Sequence, residues 1–89
     1  MNLHEAQVIL RDDAASYTSK VQAGWTIADS PHASLGDLLE CMKHGGQIAE
    51  AAAITLYKRT KRPRASEELS TFVIDANDWE AYLRQNKLL

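Results

Sequence analysis

Residues 47–61 read QIAEAAAITLYKRTK and carry the clearest helical pattern of this 89-residue chain. The spacing of apolar and small side chains places one set of them along a single helix face: Ile48, Ala51, Ala52, Thr55 and Leu56. The run of alanines predicts a close approach to another helix, because small side chains let two helix axes come together. The helix must end near Lys61, since Pro63 disfavours helical backbone for the residue before it.

A long helix is predicted at the start of the chain. Asn2 and Glu5 have the spacing of a capping box, and apolar residues then recur at steps of three and four over residues 3–23. Gly24 is expected to end this helix, because glycine readily adopts the left-handed conformation found just past helix ends. Trp25, Thr26 and Ile27 then have the composition of a very short strand.

A second helix is predicted over residues 34–44. Ser34 and Asp37 repeat the capping pattern, and leucines follow at helical spacing. His44, Gly45 and Gly46 then form a hinge before the alanine-rich helix, because a glycine inside a helix costs about 1 kcal/mol relative to alanine.

Residues 70–75, STFVID, have the composition of a strand, with Phe72 and Ile74 on one side. The strand needs a neighbour, which is either residues 25–28, a second copy of the chain or a ligand protein. Asp75 then caps a last helix that contains Trp79. The predicted fold class is mainly α, within α+β: about four helices with one short strand or small β-ribbon, in one domain spanning residues 1–89.

Charge is unevenly distributed along the chain. Residues 1–57 contain three basic and seven acidic residues, residues 58–64 contain five basic and none acidic, and residues 65–89 contain two basic and five acidic, so the net charge is −2. A protein that coats DNA would usually be basic throughout, so any nucleic-acid role must be local. The single cysteine, the absence of a signal-peptide pattern and the lack of a long apolar run predict a cytoplasmic protein without a membrane segment.

No residue pattern predicts an enzyme, a metal site or a cofactor site. Cys41 and His44 lie three residues apart, on one helix face, but a zinc site needs about four ligands and no paired spacing supplies them. The alternative is that Cys41 is a small core residue and His44 caps a helix. The HGGQ stretch at residues 44–47 lacks the lysine and the hydroxyl residue of a phosphate-binding loop.

The basic run is the strongest candidate site. It contains Lys58, Arg59, Lys61, Arg62 and Arg64, with Tyr57 beside it. Three interpretations remain open: cations at a solvated helix end, where each contributes about 0.3–1 kcal/mol, a docking site for a protein, or a nucleic-acid contact. Phe72 and Ile74 of the predicted strand complete the predicted partner-binding residues.

One resemblance bears on the nucleic-acid interpretation. LYKRTKRP at residues 56–63, RASEELSTFVID at residues 64–75 and ANDWEAYL at residues 76–83 resemble the tail of winged-helix proteins of the excisionase and MerR-like type. In that family a basic helix enters the major groove and a wing lies against the backbone. The resemblance implies that the five basic residues would contact phosphates or base edges.

The functional expectation is a small non-enzymatic binding protein. It would act as a phage- or plasmid-type accessory protein or inhibitor, and would occupy a surface of a larger protein or nucleoprotein complex. A homodimer is one expected arrangement. The aromatic residues Tyr17, Trp25, Trp79 and Tyr82 are either interface anchors or core residues. The alternative function is a winged-helix-like DNA-binding regulator of transcription or recombination.

Overall fold

A computed structural model describes residues 1–63 and 75–89, which form five helices. These are α1 (Leu3–Arg11), α2 (Tyr17–Asp29), α3 (Leu35–Lys43), α4 (Gly46–Thr60) and α5 (Ala76–Gln85). The described residues contain no strand. Within them, no helix combines the length and the apolar character needed to cross a bilayer.

The predicted fold class is therefore wrong in its elements, although its mainly helical character holds. The described residues already form five helices where about four were expected, because the first predicted helix is two helices. Residues 25–27 lie inside α2 and form no strand. That also removes residues 25–28 as a partner for the predicted strand. The strand itself, at 70–75, falls on residues outside the described ranges, except for Asp75, which is the N-cap of α5.

The break after α1 is formed by polar side chains that bond to the backbone. Asp12 is the C-cap of α1, and its Oδ1 accepts a hydrogen bond from the Ala14 backbone N–H at 2.9 Å. Ser16 then caps α2, and its Oγ accepts from the Ser19 N–H at 3.1 Å. Aspartate and serine compete with helical hydrogen bonding in this way, which explains why the apolar spacing of residues 3–23 does not produce one continuous helix.

Gly24 does not end a helix; it lies inside α2 and is buried. A Cβ at this position would lie 2.9 Å from Ile48 Cγ2 and 3.4 Å from Ile48 Cα, both in α4. The glycine is thus required by the close approach of α2 to α4. Ala28 lies one turn after Gly24 in α2, and its carbonyl accepts a hydrogen bond from the Thr55 hydroxyl of α4 at 3.0 Å, which links the same two helices.

The alanine-rich helix α4 is confirmed by the structure and forms the centre of the fold. It packs against both α2 and α3. Seven of its residues are buried: Ile48, Ala49, Ala51, Ala52, Ala53, Leu56 and Tyr57. Two glycines with positive φ start it, the N-cap Gly45 at +69° and the first helical residue Gly46 at +56°. Its C-cap is Lys61 in the left-handed conformation, two residues before Pro63.

The remaining helices begin at the predicted caps. α3 has a complete capping box between Ser34 and Asp37, and the Asp75 carboxylate accepts from two backbone N–H groups at the start of α5. α1 is held to α3 by a bidentate pair, in which the Arg11 guanidinium donates to both Glu40 oxygens at 2.7 and 2.8 Å. This pair lowers the pKa of Glu40. α5 buries Trp79 and Leu83 in the core.

The contact between Gly24 and Ile48 leads to a stability prediction. Gly24→Ala gains up to about 1 kcal/mol of helix propensity, but forcing a methyl group against the β-branched Ile48 costs about 1–3 kcal/mol. We expect a net loss of about 1 kcal/mol in the free energy of unfolding, measured by urea denaturation followed by circular dichroism.

Gly36→Ala is the matched control, because Gly36 is an exposed helical glycine whose added Cβ would meet only Ser34 Oγ, at 3.5 Å. We expect this variant to be stabilised by about 0.5 kcal/mol. Equal stabilisation of both variants would show that α2 and α4 are not in close contact at Gly24.

Candidate functional site

Helix α2 carries two exposed aromatic residues. Tyr17, Val21 and Trp25 follow one another at steps of four, so they form one stripe along the helix, called here the aromatic stripe. Tyr17 is 58% exposed and Trp25 is 44% exposed. Val21 between them is half-buried and packs against the core. The stripe therefore presents apolar and aromatic surface to solvent at both ends.

The Tyr17 end of the stripe contacts the start of α4. The Tyr17 hydroxyl accepts a hydrogen bond from the Gln47 backbone N–H at 3.4 Å, and a Cβ on Gly46 would lie 2.9 Å from the same oxygen. Gly45, the N-cap of α4, supplies no side-chain cap. The Tyr17 ring is thus held in place over the helix start, although most of its surface remains open.

The predicted basic run is divided by the fold. Lys58, in the last turn of α4, and Lys61, its C-cap, are both exposed. Arg59 and Arg62 instead use their guanidinium groups in intramolecular contacts, described next. Arg64 lies outside the described residues, as do Phe72 and Ile74.

Arg59 bonds to the loop between α2 and α3. Its Nη2 donates to the Ser30 carbonyl at 2.7 Å, and its Nη1 donates to the Ala33 carbonyl. These two carbonyls belong to the loop that follows α2, where no helix would satisfy them. The Arg59 side chain therefore connects the end of α4 to that loop by two hydrogen bonds.

Arg62 joins the end of α4 to α5. Its Nη2 donates to Asp78 Oδ2 at 2.8 Å, and the side chain is only 17% exposed. The guanidinium carbon lies 4.6 Å from the centre of the Trp79 ring and 4.5 Å from that of Tyr82, which is within the range of cation–π attraction. Arg62 thus links the two described segments on either side of residues 64–74.

The remaining aromatic residues belong to this inner cluster. Tyr57, a predicted partner-binding residue, is buried, and its ring meets Trp79 edge to face with centroids 4.9 Å apart. Trp79 is fully buried, and Tyr82 packs against it at 5.7 Å. The sequence left four aromatic residues open between core and interface. Trp79 is a core residue and Tyr82 is half-buried against the core, whereas Tyr17 and Trp25 are exposed.

Cys41 and His44 occupy the positions expected of a core residue and a helix cap. Cys41 is fully buried, and burial, with a smaller effect of the neighbouring carboxylates, raises the pKa of its thiol to about 12. His44 is the exposed C-cap of α3. The described residues contain no group of three or more side chains arranged to hold a metal ion.

The division of the basic run predicts different effects of mutating adjacent cations. Arg62→Ala removes a charge-assisted hydrogen bond and two ring contacts, so we expect a loss of about 2 kcal/mol in the free energy of unfolding. Arg59→Ala should cost about 1 kcal/mol, because it removes the side-chain donor to the Ala33 carbonyl and one of the two donors to the Ser30 carbonyl. Lys58→Ala, the exposed control, should change stability by less than about 0.5 kcal/mol. Equal effects at the three positions would mean that the arginines do not make these contacts in solution.

Burial of Cys41 predicts a slow reaction with thiol reagents. A rise in pKa from 9 to about 12 lowers the thiolate fraction at about pH 8 by roughly a thousandfold. We expect the folded protein to react with a disulfide reagent at least about 100-fold more slowly than the same protein unfolded in guanidinium. Comparable rates in the two states would show that the thiol is accessible.

Comparison of the chain with protein-family models, curated proteins and solved structures found no match. The geometry and charge of the described residues are therefore what indicates a function. Two surfaces stand out in that geometry: the aromatic stripe on α2, and the basic end of α4 formed by Lys58 and Lys61.

Proposed function

We propose that this chain is a small non-enzymatic binding protein that occupies a surface of a larger protein or nucleoprotein complex, in the manner of a phage- or plasmid-type accessory protein or inhibitor. The observation that carries the proposal is the exposure of Tyr17 and Trp25 on one stripe of α2. Tyrosine and tryptophan are the side chains that most often dominate the binding energy of protein interfaces.

The fold does not need these two rings for its core. The core is completed by the aliphatic residues of α2, including the buried Ala23 and Ile27, and by Trp79 of α5. Covering the rings with a partner would remove apolar area from water, at about 25 cal/mol per Å². Their exposure therefore supports a partner that binds over α2.

The basic end of α4 supports a second candidate, DNA-binding regulation. Lys58 and Lys61 are both exposed and adjacent, and each is free to meet a phosphate. Arg59, although exposed, donates to two loop carbonyls, and Arg62 is paired with Asp78, so fewer cations are uncommitted than the run of five in the sequence. This candidate predicts binding that depends on the lysines and weakens steeply with salt.

Site-specific photo-crosslinking in the native host tests the proposal. A photoreactive phenylalanine analogue replaces Trp25 in one variant and Val8 in the control. Val8 is 54% exposed on α1, so both positions are accessible, but only Trp25 belongs to the aromatic stripe. We expect a discrete protein adduct from position 25 that survives nuclease treatment and is absent from position 8.

Three results would contradict the proposal. The first is the same adducts from positions 25 and 8, and the second is adducts to nucleic acid alone. The third is no adduct at position 25, provided that the circular dichroism of that variant matches the unmodified protein. Loss of all adducts after nuclease treatment, together with retention of the complex in Trp25→Ala and its loss in Lys58→Ala, would favour the DNA candidate.

A further inference from the structure

We infer that the aromatic stripe receives an amphipathic helical segment of a partner protein, with apolar residues along one face and lysine or arginine residues gathered at the end that lies over Tyr17. This inference rests on the proposed binding function and adds the chemistry of the partner. It follows from the charges at the two ends of the stripe.

The Tyr17 end of the stripe is acidic. Asp12 and Asp13 lie in the turn before α2, and Glu50 lies on α4 one turn after Gln47, whose N–H donates to the Tyr17 hydroxyl. All three carboxylates are exposed, and none forms an ion pair with another described residue. Asp12 and Asp13 thus put negative charge within five residues of an exposed ring, and a cation would be attracted by both.

Few cations offset this acidic end. Arg11, next to Asp12, is paired with Glu40, so those two charges cancel locally. Lys43, which ends α3 close to the glycine turn, and the half-buried Lys20, three residues after Tyr17, supply two ammonium groups at this end. Against them stand three carboxylates without an ion pair among the described residues, so this end keeps an excess of one negative charge.

The Trp25 end carries a small excess of positive charge. Asp29, the last residue of α2, is exposed. Lys58 lies one turn after Thr55, whose hydroxyl bonds to the Ala28 carbonyl, so it belongs to the same end of the molecule. The exposed Arg59 also lies there, because it donates to the Ser30 carbonyl, and a neutral carbonyl does not cancel its charge. The cationic end of a partner segment is therefore not attracted to the Trp25 end, and the charge difference between the two ends of α2 favours one orientation of the segment.

The length of the stripe indicates what fits along it. Trp25 lies eight positions after Tyr17, which is about 12 Å of helix. A partner helix with apolar residues at positions i, i+4 and i+7 presents a matching apolar face over the same distance. A nucleic acid does not fit this face, because its phosphates would be repelled by the carboxylates at the Tyr17 end. A second copy that paired its α2 with this one would bring no excess of cations, since its own α2 carries only Lys20.

Synthetic peptides of about 18 residues test the inference directly. One carries the leucine pattern with lysines at one end, a second carries glutamates in place of those lysines, and a third has the composition of the first in scrambled order. Binding is measured by fluorescence anisotropy of labelled peptide. We expect the lysine peptide to bind at least about 10-fold more tightly than either of the others.

Variants of the protein locate the binding. Trp25→Ala and Tyr17→Ala should each weaken binding of the lysine peptide at least about 10-fold, with partial recovery in Trp25→Phe. Val8→Ala should change the binding of the lysine peptide by less than about twofold.

Asp13→Asn combined with Glu50→Gln should weaken the binding of the lysine peptide by about 3- to 10-fold and reduce its dependence on salt. Glu5→Gln, an exposed carboxylate on α1, is the matched charge control. Unchanged circular dichroism and unfolding midpoints establish that the variants are folded.

The outcomes separate this inference from the proposed function. If the glutamate peptide binds equally well and still requires Trp25, the charge inference is overturned and the binding face stands. If no peptide binds while position 25 still crosslinks to a host protein, the inference alone is overturned. Binding of duplex DNA through Trp25, or a dimer in sedimentation that Trp25→Ala abolishes, would also overturn it. If neither peptides nor crosslinks involve position 25, both the inference and the proposed function are wrong.

Discussion

The close contact between α2 and α4 is the constraint on which the rest of the structure depends. Gly24 lies directly against Ile48, and a methyl group at position 24 would be 2.9 Å from the Ile48 side chain. Because the two helices meet at this distance, α4 can be surrounded by its neighbours and bury its alanines. Trp25, the neighbour of Gly24, remains in solvent, whereas Tyr17 lies two turns before Gly24 on the same face and stays exposed at the start of α4.

The basic run shows how a fold can divide a charge cluster between structure and surface. Residues that look equivalent in sequence differ because α4 ends among them. Arg59 reaches back to the loop after α2, and Arg62 turns toward Asp78 and the rings of α5. Arginine suits both tasks, because its planar guanidinium can donate several hydrogen bonds and also stack on aromatic faces. Lys58 and Lys61 are left on the surface.

The α2 surface combines two properties that are each common and are informative together. Single exposed apolar residues occur on most proteins and need no explanation. Here two aromatic residues lie on one stripe, and unpaired carboxylates gather at one end of it. Aromatic contact supplies affinity, and the charge asymmetry supplies orientation and selection among partners. This combination is what makes α2 a more specific candidate than the lysines of α4.

The sequence by itself determined the helices that have local signals. The Ser34–Asp37 capping box, the glycine hinge at Gly45, the alanine-rich helix and the Asp75 cap all depend on neighbours within a few residues, and each was predicted. Only the tertiary structure decided the role of Gly24, because a glycine that ends a helix and one that admits a neighbouring helix look the same in one dimension. It likewise decided which arginines are engaged and which aromatic rings are exposed, since burial depends on contacts between residues that are distant along the chain.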